Sequence, residues 1–386
     1  ELPKYEALIA FLPYLFSKAP KQAFVVGYGG GFTVDFLTDT DLKKVNVVEL
    51  EKGILKAADY IYKGNNPLLE RPNLNLKVED ARYVLAAKLN GPQDIIVSQP
   101  SHSWLAGAAN LFTQEFFEVV KENLAENGVF SQWLNLYNMD VPVLQSILKT
   151  FYTVFPHGAV FTQHGDQELV LLGSRKPLDL NLRKLEMLTQ NEMMKGKLTS
   201  IFDESSFDIV SLFSLSREDV LELTKESKIN TDMNAYAEVQ QSKLFYRGLQ
   251  GRETPQQYLS RVFKGDYRGI VRQKESPDFY YNLLLSLNEG GHYDKFNVVL
   301  NKYEAQVKDR KDQFSNLGFL CFRAGRFESA LDYLTQAFKA KADPAVFNLI
   351  LSTLTEQEKY SEIATWYKKY PKMVNESSSC FMANAY

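Results

Sequence analysis

Five short apolar runs, each followed by a longer stretch with helical spacing, limit what this chain can fold into more than any other feature. They lie at 21–27 (KQAFVVG), 44–50 (KVNVVEL), 74–78 (LNLKV), 94–98 (DIIVS) and 128–134 (GVFSQWL). Near-continuous apolar strands are buried on both faces, the mark of a parallel sheet carrying helices on either side. Between runs, Phe112, Phe116, Val119, Val120 and Leu124 recur at the spacing that places them on one helix face. Residues 159–163 and 168–172 flank His164-Gly165-Asp166 and read as an antiparallel hairpin that closes the sheet. The expected class is α/β, a Rossmann-like and mostly parallel sheet.

The chain has 386 residues, enough for two or three domains of about 150 residues each. After about 175 the composition shifts to Leu, Lys, Glu and Ser with amphipathic spacing, which predicts a helical extension over 176–265. A polar, turn-forming stretch, Asn230-Thr231-Asp232-Met233-Asn234, interrupts it. Over 266–386 the pattern repeats. Tyr293, Phe327 and Tyr360 follow Gly-Gly-His, Ala-Gly-Arg and Gln-Glu-Lys turns at spacings of 34 and 33. The clearest copy holds Leu317-Gly318, Gly325, Phe327, Ala330, Leu334 and Ala337. That order of small and large residues resembles the tetratricopeptide repeat, in which small residues let paired helices approach. Phe296 and Ile363 stand where Ala330 does in the outer copies. An all-α, tetratricopeptide-like array that recruits a protein or peptide partner is the expectation for this region.

The chemistry is carried by Val25-Val26-Gly27-Tyr28-Gly29-Gly30-Gly31-Phe32-Thr33. A strand ending in Gly27, Gly29 and Gly31 lets the backbone turn sharply and present main-chain N–H groups to a ligand at a helix start. The second strand ends in Glu49, 18 residues after Gly31, where an acid can hold both ribose hydroxyls. The third leads into Glu79-Asp80-Ala81, and Asp80 is placed to accept a hydrogen bond from an exocyclic amine such as adenine N6. Three polar features at successive strand ends predict a nucleoside site. No GxxxxGK[ST] is present, and no Lys or Arg lies near the glycines to neutralise a pyrophosphate. A nucleoside with an amino-acid-like or sulfonium tail, S-adenosylmethionine or a relative, fits better than a dinucleotide.

Composition removes other classes. With 44 basic against 47 acidic residues, no chain-wide positive field is available to hold a phosphate backbone, so nucleic acid is not expected as a partner. Cys321 and Cys380 form neither a disulfide framework nor a Cys/His metal cluster, and no metal is expected. The apolar stretch 7–16 contains Pro13 and is shorter than the ~20 residues that span a bilayer. No basic segment or cleavage site accompanies it, so it does not read as a signal peptide.

Over 5–246 the sequence resembles the polyamine aminopropyltransferases (spermidine synthases), in particular the branch fused behind a multi-pass membrane region. The resemblance rests on the glycine loop, Val48-Glu49-Leu50, Glu79-Asp80-Ala81-Arg82, Ser98-Gln99-Pro100-Ser101-His102-Ser103-Trp104 and Ala109-Asn110-Leu111-Phe112-Thr113-Gln114-Glu115-Phe116-Phe117. Gly128-Val129-Phe130-Ser131-Gln132-Trp133 and the Asn230–Asn234 turn add to it. It implies a class I methyltransferase-type fold over 1–175 that binds decarboxylated S-adenosylmethionine, or S-adenosylmethionine, as substrate. Gly27, Tyr28, Gly29, Gly31, Glu49, Asp80, Ala81 and Ser98 are the implied nucleoside contacts. It further implies a small amine-type acceptor and a cytoplasmic setting, with a membrane segment upstream of Glu1 and the oligomeric state left open.

In that family two aspartates after strand four orient and help deprotonate the amine. A primary ammonium has a pKa near ~10.4 and is not a nucleophile until it loses a proton. Here Gln99 and His102 occupy those positions, and Ala7 and Phe11 replace a Glu and a His of an upstream helix. Gln99 cannot take a proton, whereas His102 can, with an ordinary pKa of about 6.5. The implied reaction is transfer of an aminopropyl or related group to an acceptor less cationic than putrescine. A catalytically silent nucleoside-binding scaffold and a methyltransferase are the alternatives. Other residues have plainer readings. His157, His164 and His292 read as solvated turn residues, Trp104 and Trp133 as core or pocket lining, and Asp232 as a turn cap or a lid over substrate.

Overall fold

The computed structural model describes residues 4–62, 64, 66–162, 167–180, 182–198, 206–247, 252–271, 276–307 and 311–381. The chain divides into two compact units, residues 1–273 and 274–386.

Among the described residues of the first unit eight strands form one sheet in the order β3-β2-β1-β4-β5-β7-β6-β8. Strands β1 (Gln22–Val26), β2 (Lys44–Glu49), β3 (Leu74–Val78), β4 (Gln93–Ser98) and β5 (Leu124–Asn135) are parallel. Each coincides with one of the five apolar runs. β6 (His157–Thr162) and β7 (Glu168–Ser174) pair antiparallel, and β7 joins β5. The mostly parallel Rossmann-like sheet with closing antiparallel strands is therefore present; residues 163–166, including His164, lie outside the described residues.

Helices α1 (Lys4–Phe16), α2 (Phe32–Thr38), α3 (Lys52–Ile61), α4 (Ala81–Ala86), α5 (Gln114–Asn123) and α6 (Val141–Val154) accompany the parallel strands. On the face covered by α4, α5 and α6, Phe116, Phe117, Phe130, Phe151 and Phe155 form a continuous aromatic core. Phe130 stacks on Phe151 at 5.6 Å, and Phe117 meets it edge-on at 5.1 Å. Truncating one such ring to Ala removes about 3–5 kcal/mol. On the opposite face α1 is apolar all round, from Ala7 to Phe16, and such a helix has to be covered on every side.

Helix α7 (Leu182–Thr189) reaches α1 through Lys184, and α8 (Glu192–Leu198) reaches α2 through Lys197. Lys184 donates to the carbonyls of Tyr14 and Ser17, the orphan acceptors at the end of α1, at 2.6 and 3.0 Å, and lies 3.7 Å over the Tyr14 ring. Burial lowers its pKa to about 8. Lys197 bridges Asp35 and Asp39 of the α2 end. Beyond α9 (Ser206–Leu212), Phe213–Ser216 forms β8, antiparallel to β6. The segment expected to be helical thus contributes a strand to the sheet edge. Helices α10 (Arg217–Leu223), α11 (Tyr236–Arg247) and α12 (Pro255–Val262) pack on α6.

The second unit is all-helical. Helices α13 (Pro277–Glu289) and α14 (Tyr293–Val307), α15 (Phe314–Arg323) and α16 (Phe327–Ala340), and α17 (Pro344–Glu356) and α18 (Tyr360–Lys369) pack as consecutive pairs. A Cβ on Gly318 would lie 2.5 Å from Leu334 Cγ, so only glycine permits α15 to approach α16 this closely. His292, expected to be solvated, is buried: its N–H donates to the Leu287 carbonyl and its ring packs over Gly290. Among the described residues no helix is long and apolar enough to cross a membrane.

Candidate functional site at the C-terminal sheet edge

The glycine loop leaves β1 at Gly27 (φ 87°), passes Gly29 (φ 54°) and enters α2 from Gly31 (φ 84°). At Gly31 an added Cβ would meet Leu68 Cδ1 at 2.9 Å and the Tyr28 hydroxyl at 3.0 Å, in a left-handed conformation that disfavours side chains anyway. The loop is held from below by Glu49. Its Oε2 accepts the Tyr28 N–H at 2.7 Å and its Oε1 the Glu51 N–H at 2.9 Å. Glu49 is nearly fully buried, so these charge-assisted bonds offset the cost of taking a carboxylate out of water. Each oxygen keeps a further lone pair. Tyr28 directs its ring into the protein, where its hydroxyl accepts from Asn66 Nδ2 at 2.9 Å; burial raises its pKa.

Asp80 stands at the end of β3 as the N-cap of α4, its Oδ1 accepting from the N–H groups of Arg82 and Tyr83. The cap bonds leave Oδ2 unused, and the side chain is exposed, while Ala81 behind it is buried. The Glu79 N–H reaches the Glu49 carbonyl at 3.0 Å, so the two acids sit on adjacent strand ends. Ser98 ends β4 in register with Val26; it is fully buried, and its hydroxyl has no hydrogen-bond partner among the described residues.

The loop after β4 is fastened on two sides. Thr33 Oγ1 donates to Gln99 Oε1 at 3.2 Å, drawing Gln99 against the start of α2, and Ser103 Oγ donates to Gln241 Oε1 of α11 at 2.7 Å. His102 is half-buried, with Nδ1 against the Ser101 carbonyl. In the tautomer that satisfies this contact Nδ1 donates to the carbonyl and Nε2 is left as the acceptor. The imidazole packs 4.4 Å from Trp104 and edge-on to Tyr137 at 5.5 Å; Trp104 and Tyr137 are 6.3 Å apart. Gln99 is thus tied to the first turn of α2, just after the glycine loop, whereas His102 belongs to an aromatic group with Trp104 and Tyr137.

Two stretches singled out in the sequence prove to be joined. Asn230 Nδ2 donates to the Phe112 carbonyl, the Gln114 N–H returns to the Asn230 carbonyl, and the Asp232 N–H donates to Glu115 Oε2. The Asp232 carboxylate accepts both terminal nitrogens of Arg82, two residues from Asp80, and this pairing holds its pKa below the usual carboxylate range.

Sequence reasoning did not single out Glu168, Asn135 or Tyr137. Glu168 begins β7 opposite Asn135 and accepts from Trp133 Nε1 at 3.0 Å; burial raises its carboxyl pKa, and its charge helps raise that of Tyr137. The legible signal was an acid at the start of a run that continues Leu169-Val170-Leu171-Leu172.

The glycine loop, the two acids and the strand-four loop lie together on the C-terminal edge of the parallel strands. Residues 2–163 match the Spermine/spermidine synthase domain. The polyamine aminopropyltransferase of Thermotoga petrophila is 24% identical over 159 residues, 41% of this chain and 53% of that protein. The one from Nitrosomonas europaea is 25% identical over 205 residues, 51% of this chain and 62% of its own length. The chain therefore spans little more than half of these curated relatives. A solved spermidine synthase in complex with the transition state analogue AdoDATO aligns with 51% of this chain and 71% of its own at 19% identity and a TM-score of 0.44. The matched residues include the glycine loop, Glu49, Asp80 and the strand-four loop; the helical second unit lies outside them.

Proposed function

We propose that the first unit binds an S-adenosyl compound, decarboxylated S-adenosylmethionine or S-adenosylmethionine, along the sheet edge and transfers its aminopropyl or related group to a small amine. The observation that carries this reading is the Thr33–Gln99 hydrogen bond. It sets the loop where an acceptor would enter against the glycine loop where the nucleoside would lie. In this reading Glu49 lends its spare lone pairs to the ribose, and Asp80 Oδ2 receives the adenine amine. Gln99 orients the acceptor without taking its proton. His102 Nε2 accepts the proton that the ammonium loses before attack. The amine lone pair then forms the new C–N bond as the C–S bond breaks. The departing pair stays on sulfur, leaving a neutral thioether that needs no general acid.

The helical second unit supports a tetratricopeptide-like reading. The turns at 290–292, 324–326 and 357–359 are of equal length, and Gly291, Gly325 and Glu358 in them share positive φ values of 72°, 72° and 56°. In this reading the repeats recruit a protein or peptide partner. A catalytically silent scaffold is the second reading, favoured by Gln99 in place of a carboxylate. Calorimetric titration with S-adenosylmethionine, its decarboxylated form and methylthioadenosine tests the nucleoside site. Product analysis with the decarboxylated form and a panel of amines then tests transfer. Binding of none of the three nucleosides ends the proposal; binding with turnover that collapses in Glu49→Ala excludes the silent scaffold.

A further inference from the structure

With a nucleoside on the glycine loop, as proposed above, the acceptor has to approach past Gln99 and His102, neither of which is a carboxylate. The missing negative charge lies on a different element. Ser98 pairs with Gln132, and β5 continues three residues further to Asn135, which raises its end about 10 Å above the edge of β4. There Asn135 faces Glu168 across the antiparallel ladder, and side chains at such paired positions stand on the same face of the sheet. Trp133, two residues back on that face, donates Nε1 to Glu168 Oε2. Asn135 is fully buried. Its Nδ2 donates to the Tyr137 carbonyl at 2.9 Å, while its Oδ1 has no hydrogen-bond partner among the described residues. No Lys or Arg among the described residues pairs with Glu168.

A buried acceptor without a donor is costly, and so is a half-buried carboxylate without a cation. Both deficits are met by a ligand rich in N–H donors. Tyr137, 37% exposed, sits close enough to Glu168 to feel its charge and closes the group with His102 and Trp104, whose faces favour cations and planar apolar groups alike. We propose that Glu168 and Asn135 Oδ1 receive the ammonium of the acceptor as it arrives, before His102 Nε2 takes its proton, that the rings of Trp104 and Tyr137 hold its body, and that the acceptor is consequently a monoamine with an apolar or aromatic body. One carboxylate balances one ammonium. A diamine would leave its second charge beside His102 without a counter-ion. Glu168 in this role determines specificity rather than moving the reacting proton.

The test is calorimetric titration of the whole chain with 2-phenylethylamine, with its uncharged counterpart 2-phenylethanol and with putrescine, each without nucleoside. Glu168→Gln keeps the volume and the oxygen that accepts from Trp133 but removes the charge. Binding of 2-phenylethylamine is expected to weaken at least tenfold in Glu168→Gln and severalfold in Tyr137→Leu, with melting temperatures unchanged and 2-phenylethanol inert. Equal affinity in wild type and Glu168→Gln, tighter binding of putrescine, or no amine binding at all overturns the assignment. Titration of the same samples with the three S-adenosyl compounds is read separately. Silence there ends the nucleoside reading, while a charge-dependent amine site at Glu168 would still stand.

Discussion

The backbone N–H of Tyr28 donates to Glu49 Oε2 across 2.7 Å, so the acid at the end of β2 is the floor of the glycine loop at the end of β1. The Glu51 N–H occupies the other oxygen, and the carboxylate is nearly fully buried. One side chain therefore fixes two strand ends. Charge-assisted bonds of this kind contribute about 1.5–3 kcal/mol each. Glu49→Ala is expected to lower stability by roughly 2–4 kcal/mol, counting two such bonds with partial replacement by water. Urea unfolding measures the loss. An unchanged midpoint would mean that the loop holds its shape without the acid.

The glycines of that loop are unequal. Gly31 combines φ 84° with Leu68 and Tyr28 atoms at about 3 Å from any added Cβ, whereas Gly29 has φ 54° and open space. Gly29→Ala should cost about 1 kcal/mol from the left-handed backbone alone. Gly31→Ala adds overpacking, typically 1–3 kcal/mol, and should lower the melting temperature clearly further. Thermal unfolding of the two variants side by side gives the order, and a reversed order would displace Gly31 from its place under Tyr28.

Asp80 has two roles that substitution can separate. Its Oδ1 caps α4, and asparagine caps a helix about as well as aspartate. Asp80→Asn should keep stability within a few tenths of a kcal/mol while weakening adenosine-compound binding by about 1–3 kcal/mol, the range for a lost charged hydrogen bond. Asp80→Ala should lose the same affinity and about 1 kcal/mol of stability as well. Calorimetry and denaturant unfolding on both variants check the split. Unchanged affinity in both would move the adenine elsewhere.

The parallel strands were legible because burial on both faces leaves no room for polar alternation, and a run such as DIIVS can then be little else. The position of Glu49 was legible too, but not its direction. Spacing places an acid at a strand end without saying that its oxygens are taken by Tyr28 and Glu51. β8 escaped because Phe-Ser-Leu-Ser offers a single alternation between two helices, too short a signal to outweigh its surroundings. Glu168 escaped for a different reason. Its meaning depends on Asn135 and Tyr137, more than 30 residues earlier, and only the β5–β7 register brings them together. His292 misled because a Gly-Gly turn is ordinarily wet, whereas here it folds back over its own helix end.

Arg82 ties the helix that Asp80 caps to the 230–234 turn through Asp232, and this link carries a pH signature. Arg82 holds the Asp232 carboxyl below its ordinary pKa, so the folded state binds that proton less readily than the unfolded chain. The stability it contributes is complete above the unfolded carboxylate pKa of about 3.9 and is lost as pH falls through the lower, folded value. Arg82→Ala removes the cause. Its carboxyl should titrate nearer the ordinary value, and the stability deficit of the variant relative to wild type should shrink as pH drops below about 4. Acid-unfolding midpoints for wild type, Arg82→Ala and Asp232→Asn, with the Asp232 titration followed by NMR, provide the measurement. A deficit of Arg82→Ala that stays constant from neutral pH to pH 3 would show that the 230–234 turn is held by Asn230 and Glu115 alone, leaving the ion pair as surface charge.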